Sequence, residues 1–351
     1  TAFTIFHRRL EQPTNGGTTV LMRYTLRLLT AQQFERAASL ICACELIRAA
    51  NPKLLGNERI SIGLWVGNSV TPGSQQEAKI KLNNLIRDRQ SENPFLLLKC
   101  PWCGAEMGPV KADRRTVTKG YRQESGKVFF CCEDEDCSFS HGEGLPLHVI
   151  DEAIYEERPT LVVGTVDKFA MLPWKPQAGS LFGLNSGGCI SPPDLVIQDE
   201  LHLISGALGS MVGHYEATID ALCTAQDGPF AGCSAKIVAS TATICRASGQ
   251  VKALYAREAF LFPPQGLQAG ESFFARERTD KPGRLYVGVF GSALSSHVTA
   301  QIRVMSALLQ AAKSVPATHA DMDWYWTLMC YFNSIRELGH AATLLRADIR
   351  D

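Results

Sequence analysis

What this 351-residue chain lacks bounds it first. No apolar run approaches the roughly 20 residues that a helix needs to cross a bilayer, so no membrane partner is expected. Neither sign of charge dominates: 35 Lys and Arg stand against 35 Asp and Glu. That balance excludes a strongly basic, non-specific nucleic-acid binder but leaves room for a local basic groove. There is no fixed-period repeat and no long low-complexity tract, which argues against a solenoid or a disordered chain. No secretory signal opens the sequence. The 12 cysteines are not spaced as a disulfide framework, and Cys42, Cys44, Cys223, Cys245 and Cys330 sit in apolar or helical contexts. A reducing, cytoplasmic location is the expectation. Also missing is the G-x-x-x-x-G-K-[ST] loop whose backbone cradles nucleotide phosphates.

The length is too great for one ordinary core, so two domains and an insertion are expected. β-rich runs (Thr18–Met22, Ile60–Val66, Thr160–Val163, Leu195–Ile197, Ala235–Ala239) alternate with helical patterns such as Thr30–Ala50 and Ser74–Gln90. Near-continuous apolar strand cores in that alternation predict an α/β fold with a parallel sheet covered by helices. Residues 96–144 interrupt the rhythm with paired cysteines, and residues 263–283 read as a linker rich in Pro, Gly and charge. Beyond it, Arg284–Phe290 and Tyr325–Tyr331 look like strands of a second α/β unit. Both ends read as interrupted helical patterns, so a longer protein is expected.

The segment Pro193 to His202 is an apolar strand ending in two adjacent carboxylates, Asp199 and Glu200. Chemistry in open α/β sheets gathers at the carboxyl ends of strands. A magnesium ion takes one or two carboxylates plus phosphate oxygens and keeps several waters, a role for Asp199. Glu200 can polarise an attacking water, and His202 can couple that site to its surroundings. Thr241 and Thr243, after another strand, supply hydroxyls that could bond the acidic box. A strand followed by a solvated acidic turn explains the same residues without function.

Cys100-Pro101-Trp102-Cys103-Gly104 is a knuckle of the type that holds zinc, and Cys132 with Cys137 offers a second pair about thirty residues on. Four thiolates would close a tetrahedral structural site. Cys132 is preferred to Cys131 because a Cys-x4-Cys loop is compact; Cys131 is a packed thiol or reserve ligand. His141 and His148 are competing ligands in principle. Lys111, Arg114, Arg115 and Lys119 could face nucleic acid or form an exposed ribbon.

Taken in order, Tyr24 to Gln33, Gly164 to Phe169, Asp199-Glu200-Leu201-His202, Ser240 to Thr243 and Phe332-Asn333-Ser334 resemble motifs Ia, Ib, II, III and IV of superfamily-2 helicases. With the long Ia helix and the cysteine-rich insertion, the chain looks like the helicase subunit of DISARM phage-defence systems. The resemblance implies RecA-like parallel-sheet domains, the first as 1–95 and 145–262 around a zinc ribbon at 96–144, the second begun at 284–351. It implies ATP, Mg2+ and Zn2+ as cofactors, with Asp199 on magnesium, Glu200 as base, and Thr241 and Thr243 as couplers. Arg27, Thr165, Lys168, Asn333 and Ser334 become candidate contacts to a DNA backbone, and a second subunit of a defence complex becomes a partner. Two departures stand against it. The phosphate loop is absent, as is the late arginine motif. A catalytically degenerate, DNA-binding structural subunit is the alternative; a zinc-bearing binding module and a metal nuclease are further ones.

Overall fold

The computed structural model describes residues 1–25, 27–67, 70–87, 93–112, 115–184, 190–224, 231–242, 247–264, 266–268, 270–278, 280, 283–294, 296–314 and 325–349. Within these, the side chains of 27–31, 111, 112, 115 and 116 are not described. The chain divides into two compact units, Thr1–Leu261 and Phe262–Asp351.

The first unit is built on a six-stranded parallel sheet. Its strands are β1 (Val20–Tyr24), β2 (Ile62–Trp65), β7 (Leu147–His148), β8 (Leu161–Thr165), β9 (Leu195–Gln198) and β10 (Lys236–Ala239), in the order β10-β9-β1-β8-β2-β7. Every residue of β2 and β8 is buried, as an apolar run covered on both faces requires. β10 differs: it closes one edge, and Lys236, Val238 and Ala239 are exposed. Helices α1 (Ala2–Glu11), α2 (Arg27–Ala50), α4 (Gln75–Arg87), α5 (Asp151–Glu157), α7 (Gly206–Leu222) and α8 (Ala247–Tyr255) accompany it, with short α3 (Pro52–Leu55) and α6 (Val166–Phe169) between strands. α4 starts in a capping box: the Glu77 N–H donates to Ser74 Oγ and the Gly73 N–H to Glu77 Oε2. Among the described residues no helix is long and apolar enough to cross a membrane.

Between α4 and β7 the insertion forms two antiparallel hairpins, β3 (Gly108–Ala112) with β4 (Arg115–Lys119) and β5 (Tyr121–Glu124) with β6 (Lys127–Phe130). It is not a pendant. The Phe95, Tyr121 and Phe130 rings pack on one another at 4.9, 5.6 and 5.7 Å. Their cluster is continuous with Ile41 and Cys42 of α2 and Leu82 and Leu85 of α4. Arg59 closes its far end, donating to the carbonyls of Glu143 and Gly144.

His148, on edge strand β7, adds a pH dependence. Burial first, then the nearby positive charges of Arg59 and Lys127, push its pKa from 6.5 down to about 4. A depressed pKa means the folded state holds the neutral ring, so the stability contribution is complete above pH 6.5 and lost as pH falls through 4. Urea unfolding between pH 7 and pH 4 should therefore show a loss of at most about 1.4 kcal/mol per pH unit that His148→Gln removes. An unchanged slope in that variant would assign the acid sensitivity elsewhere.

Among its described residues the second unit has two helices that pack together, α9 (His297–Ser314) and α10 (Ile335–Asp348); their buried residues are Ile302, Met305 and Ala341. The strands predicted at Arg284–Phe290 and Tyr325–Tyr331 are not formed. An extended segment becomes a strand only by pairing, and neither has a ladder partner among the described residues. Most of their apolar side chains stay in solvent, Phe290 being 92% and Tyr331 85% exposed.

Candidate functional site at the carboxyl edge of the sheet

Register builds the site. In the parallel ladders Arg23 pairs with Gln198, and Gln198 with Ala239, so the next residues, Tyr24, Asp199 and Ser240, lie side by side. The Asp199 N–H donates to the Arg23 carbonyl at 3.0 Å and the Ser240 N–H to the Gln198 carbonyl at 2.9 Å. The strand bonding thus runs on into the acidic turn. Asp199 Oδ1 accepts from the Glu200 N–H at 3.0 Å and from the Ser240 hydroxyl in a short bond. Among the described residues its Oδ2 takes no hydrogen bond, which leaves one oxygen for a cation.

Glu200 has φ +52°, the left-handed region that a non-glycine residue occupies at a cost. The turn places its Oε2 3.2 Å from His202 Nδ1, and the Thr241 hydroxyl lies 3.4 Å from the same nitrogen. His202 is in this way the joint between the acidic turn and the end of β10. Asp199, Glu200, His202 and Thr241 are therefore brought together; Thr243 lies outside the described residues. Tyr24 and Ser240, which open the motif Ia and III segments but were not singled out there as site residues, join the site. Burial and then the charge of Asp199 push the Tyr24 hydroxyl up to about 12. The signal that could have found both is the ladder register, which sequence spacing alone does not supply.

The candidate nucleic-acid residues are not gathered in the same way. Arg27 opens α2, but its side chain lies outside the described ones. Thr165 is 2% exposed at the end of β8. Lys168 is turned inward: its Nζ donates to Asp151 Oδ2 at 2.5 Å and lies 5.9 Å from the centre of the Trp65 ring. A phosphate contact from Lys168 would require that pair to open. Burial raises the Asp151 carboxyl above its usual range, against the pull of Lys168. In the second unit the Ser334 hydroxyl is spent on its own helix, accepting from the Glu337 N–H while Glu337 Oε2 accepts from the Asn333 N–H. That is a capping box at α10. Asn333 itself is exposed beside a cavity of about 220 Å³ lined with His297, Gln301, Tyr331 and His340.

Cys100, Cys103, Cys132 and Cys137 offer sulfur atoms within 4.8 Å of one another, a group that could hold a metal ion. Each pair is set by a knuckle. The Gly104 N–H turns back to the Cys100 carbonyl with Gly104 at φ +81°, where a side chain would be strained. The Cys137 N–H bonds the Asp134 carbonyl, and the Cys132 N–H that of Phe139. Cys131 is buried apart from the four. His148 and His141 are not members of the group. The side chains of Lys111, Arg114 and Arg115 lie outside the described ones.

No protein-family model matches the chain. Among solved structures, a DUF1998 helicase MrfA bound to DNA matches at a TM-score of 0.26 and 16% identity, over 73% of this chain and 24% of that one. A likeness that slight bears on neither fold nor function. The DISARM protein DrmA of Bacillus paralicheniformis is 38% identical over 99% of this chain. The chain spans about a third of that curated relative's length, 34%. Along nearly its whole length, this chain is a relative of the DISARM protein DrmA.

Proposed function

We propose that this chain carries the magnesium-binding and water-activating side of the ATPase site of a superfamily-2, RecA-like DNA translocase, working in antiphage defence with a partner subunit. The observation that carries the reading is the meeting of Asp199, Glu200, His202, Ser240 and Thr241 at the carboxyl ends of β9 and β10. Asp199 would hold Mg2+ through the oxygen that its neighbours leave open. Bound there, the ion would draw charge from the β- and γ-phosphates of ATP. Glu200 accepts the proton of the attacking water, and His202 passes the state of that turn to Thr241. The all-thiolate, closed set of Cys100, Cys103, Cys132 and Cys137 suits a structural Zn2+. Nucleic-acid contacts fall to Arg27 and, once the buried Lys168–Asp151 pair opens, to Lys168 and Thr165 in the first unit, and to the exposed Asn333 with Ser334 in the second.

On this reading the loop that grips the phosphates lies outside these 351 residues, which hold no G-x-x-x-x-G-K-[ST]. That absence also favours a second reading, a catalytically degenerate subunit that binds DNA without turning over ATP. The whole protein decides between them in an ATP hydrolysis assay with and without single-stranded DNA. Turnover that rises with DNA and saturates is the expected result. DNA binding with no turnover at any DNA concentration would establish the degenerate subunit.

A further inference from the structure

Arg23 is fully buried in β1, outside any role given so far. Its Nη1 pairs with Glu216 of α7, the helix that leaves the acidic turn, and its guanidinium lies 5.6 Å from the centre of the Phe169 ring. Phe169 ends the 165–169 turn and packs edge-on against Trp65 at 5.0 Å. Lys168, paired with Asp151, lies 5.9 Å from the centre of the same Trp65 ring. A continuous line of contacts runs from Asp151 through Lys168, Trp65, Phe169 and Arg23 to Glu216. The Arg23 carbonyl meanwhile holds the Asp199 N–H and, at 3.4 Å, the Gln198 side chain.

Stability alone is a poor account of this residue. Nε and Nη2 of Arg23 have no hydrogen-bond partner among the described residues. A buried guanidinium with one carboxylate, the Tyr255 hydroxyl nearby and two nitrogens short of a well-formed hydrogen bond costs desolvation that an apolar side chain of similar volume would not. What it supplies instead is direction: a planar group that one carboxylate and one ring hold in a single orientation. We infer that Arg23 is a positioning residue that holds the 165–169 turn in register with the Asp199-Glu200 turn, so that nucleic acid at the first is felt at the second. The inference rests on the proposed ATPase reading for its functional arm only. Arg23 acts through Phe169 and Glu216, not on reacting atoms.

The test compares Arg23→Met/Glu216→Met, which removes both charges together and strands neither, with Arg23→Lys, which keeps the charge but not the flat face over Phe169. In the whole protein, hydrogen exchange is read over 165–169 and 199–216, alongside basal and single-stranded-DNA-stimulated ATP hydrolysis. The double variant is expected to stay folded, to exchange about tenfold faster in both segments, and to lose about tenfold of its DNA stimulation with basal turnover kept within about twofold. Arg23→Lys is expected to fall between, and it carries the test alone if the double variant does not fold. Exchange and stimulation at parental values in a folded variant would overturn the inference and leave Arg23 as a core residue. An unsubstituted protein with no turnover would sink the ATPase reading instead, and exchange would still decide the role of Arg23.

Discussion

Glu200→Gln is expected to lower DNA-stimulated ATP turnover by about 10²–10⁴-fold, the range a positioned general base contributes, with DNA affinity within about twofold of the parent. The amide keeps the size of the side chain and can still face His202 Nδ1, now 3.2 Å from Glu200 Oε2. It also keeps the turn, whose left-handed Glu200 backbone lies between the Glu200 N–H bond to Asp199 Oδ1 and the Leu201 N–H bond to the Ser240 carbonyl. What is lost is the negative charge and, with it, the capacity to take a proton. Glu200→Ala would be less informative, because it would free His202 as well. Steady-state hydrolysis and a DNA titration on the same preparation separate the two effects. Turnover that survives in the glutamine variant would assign water activation to another group.

The second large effect concerns the four cysteines. Cys132→Ser, or removal of the metal by a chelator, is expected to lower the unfolding midpoint of the first unit by about 10–20 °C, the shift of several kcal/mol in a domain of this size. A free-standing ribbon would melt alone and leave the sheet intact. Here Cys100, Cys132 and Cys137 belong to the same apolar cluster as Ile41 and Cys42 of α2 and Leu64 of β2. Loss of the staple should therefore spread into α2 and the sheet. Cys131→Ser is the control: its sulfur stands apart from the four, so metal content should stay at one ion per chain. Calorimetry with metal analysis checks both. A Cys132→Ser protein with full metal and an unshifted midpoint would contradict the assignment.

Some of this was legible in the residues themselves. Apolar runs such as Leu161–Val163 and Leu195–Ile197 have the length and continuity of doubly covered strands, and they lie in the sheet as such. The spacing of Cys100, Cys103, Cys132 and Cys137 identified a group that the fold does bring together. Long-range pairing was the illegible part. Lys168 resembled a phosphate contact by motif, but Asp151, from the helix before it, draws it into the interior. Nothing local distinguishes Ser240 from a turn serine until the ladder sets it beside Asp199. Ser334 is a different case. Ser334-Ile335-Arg336-Glu337 is an S-x-x-E capping signature visible in the sequence, and the helix start uses it so. The extended segments 284–290 and 325–331 have the apolar and aromatic composition of strands, but composition does not specify a partner.

The most direct test of the acidic turn as a magnesium box is the Mg2+ dependence of DNA-stimulated ATP turnover in the parent and in Asp199→Asn. If Asp199 Oδ2 is the ligand left open by Ser240 and Glu200, the variant needs at least about tenfold more Mg2+ for half-maximal turnover, or shows none. Parent and variant with the same Mg2+ dependence and the same maximal rate would contradict it.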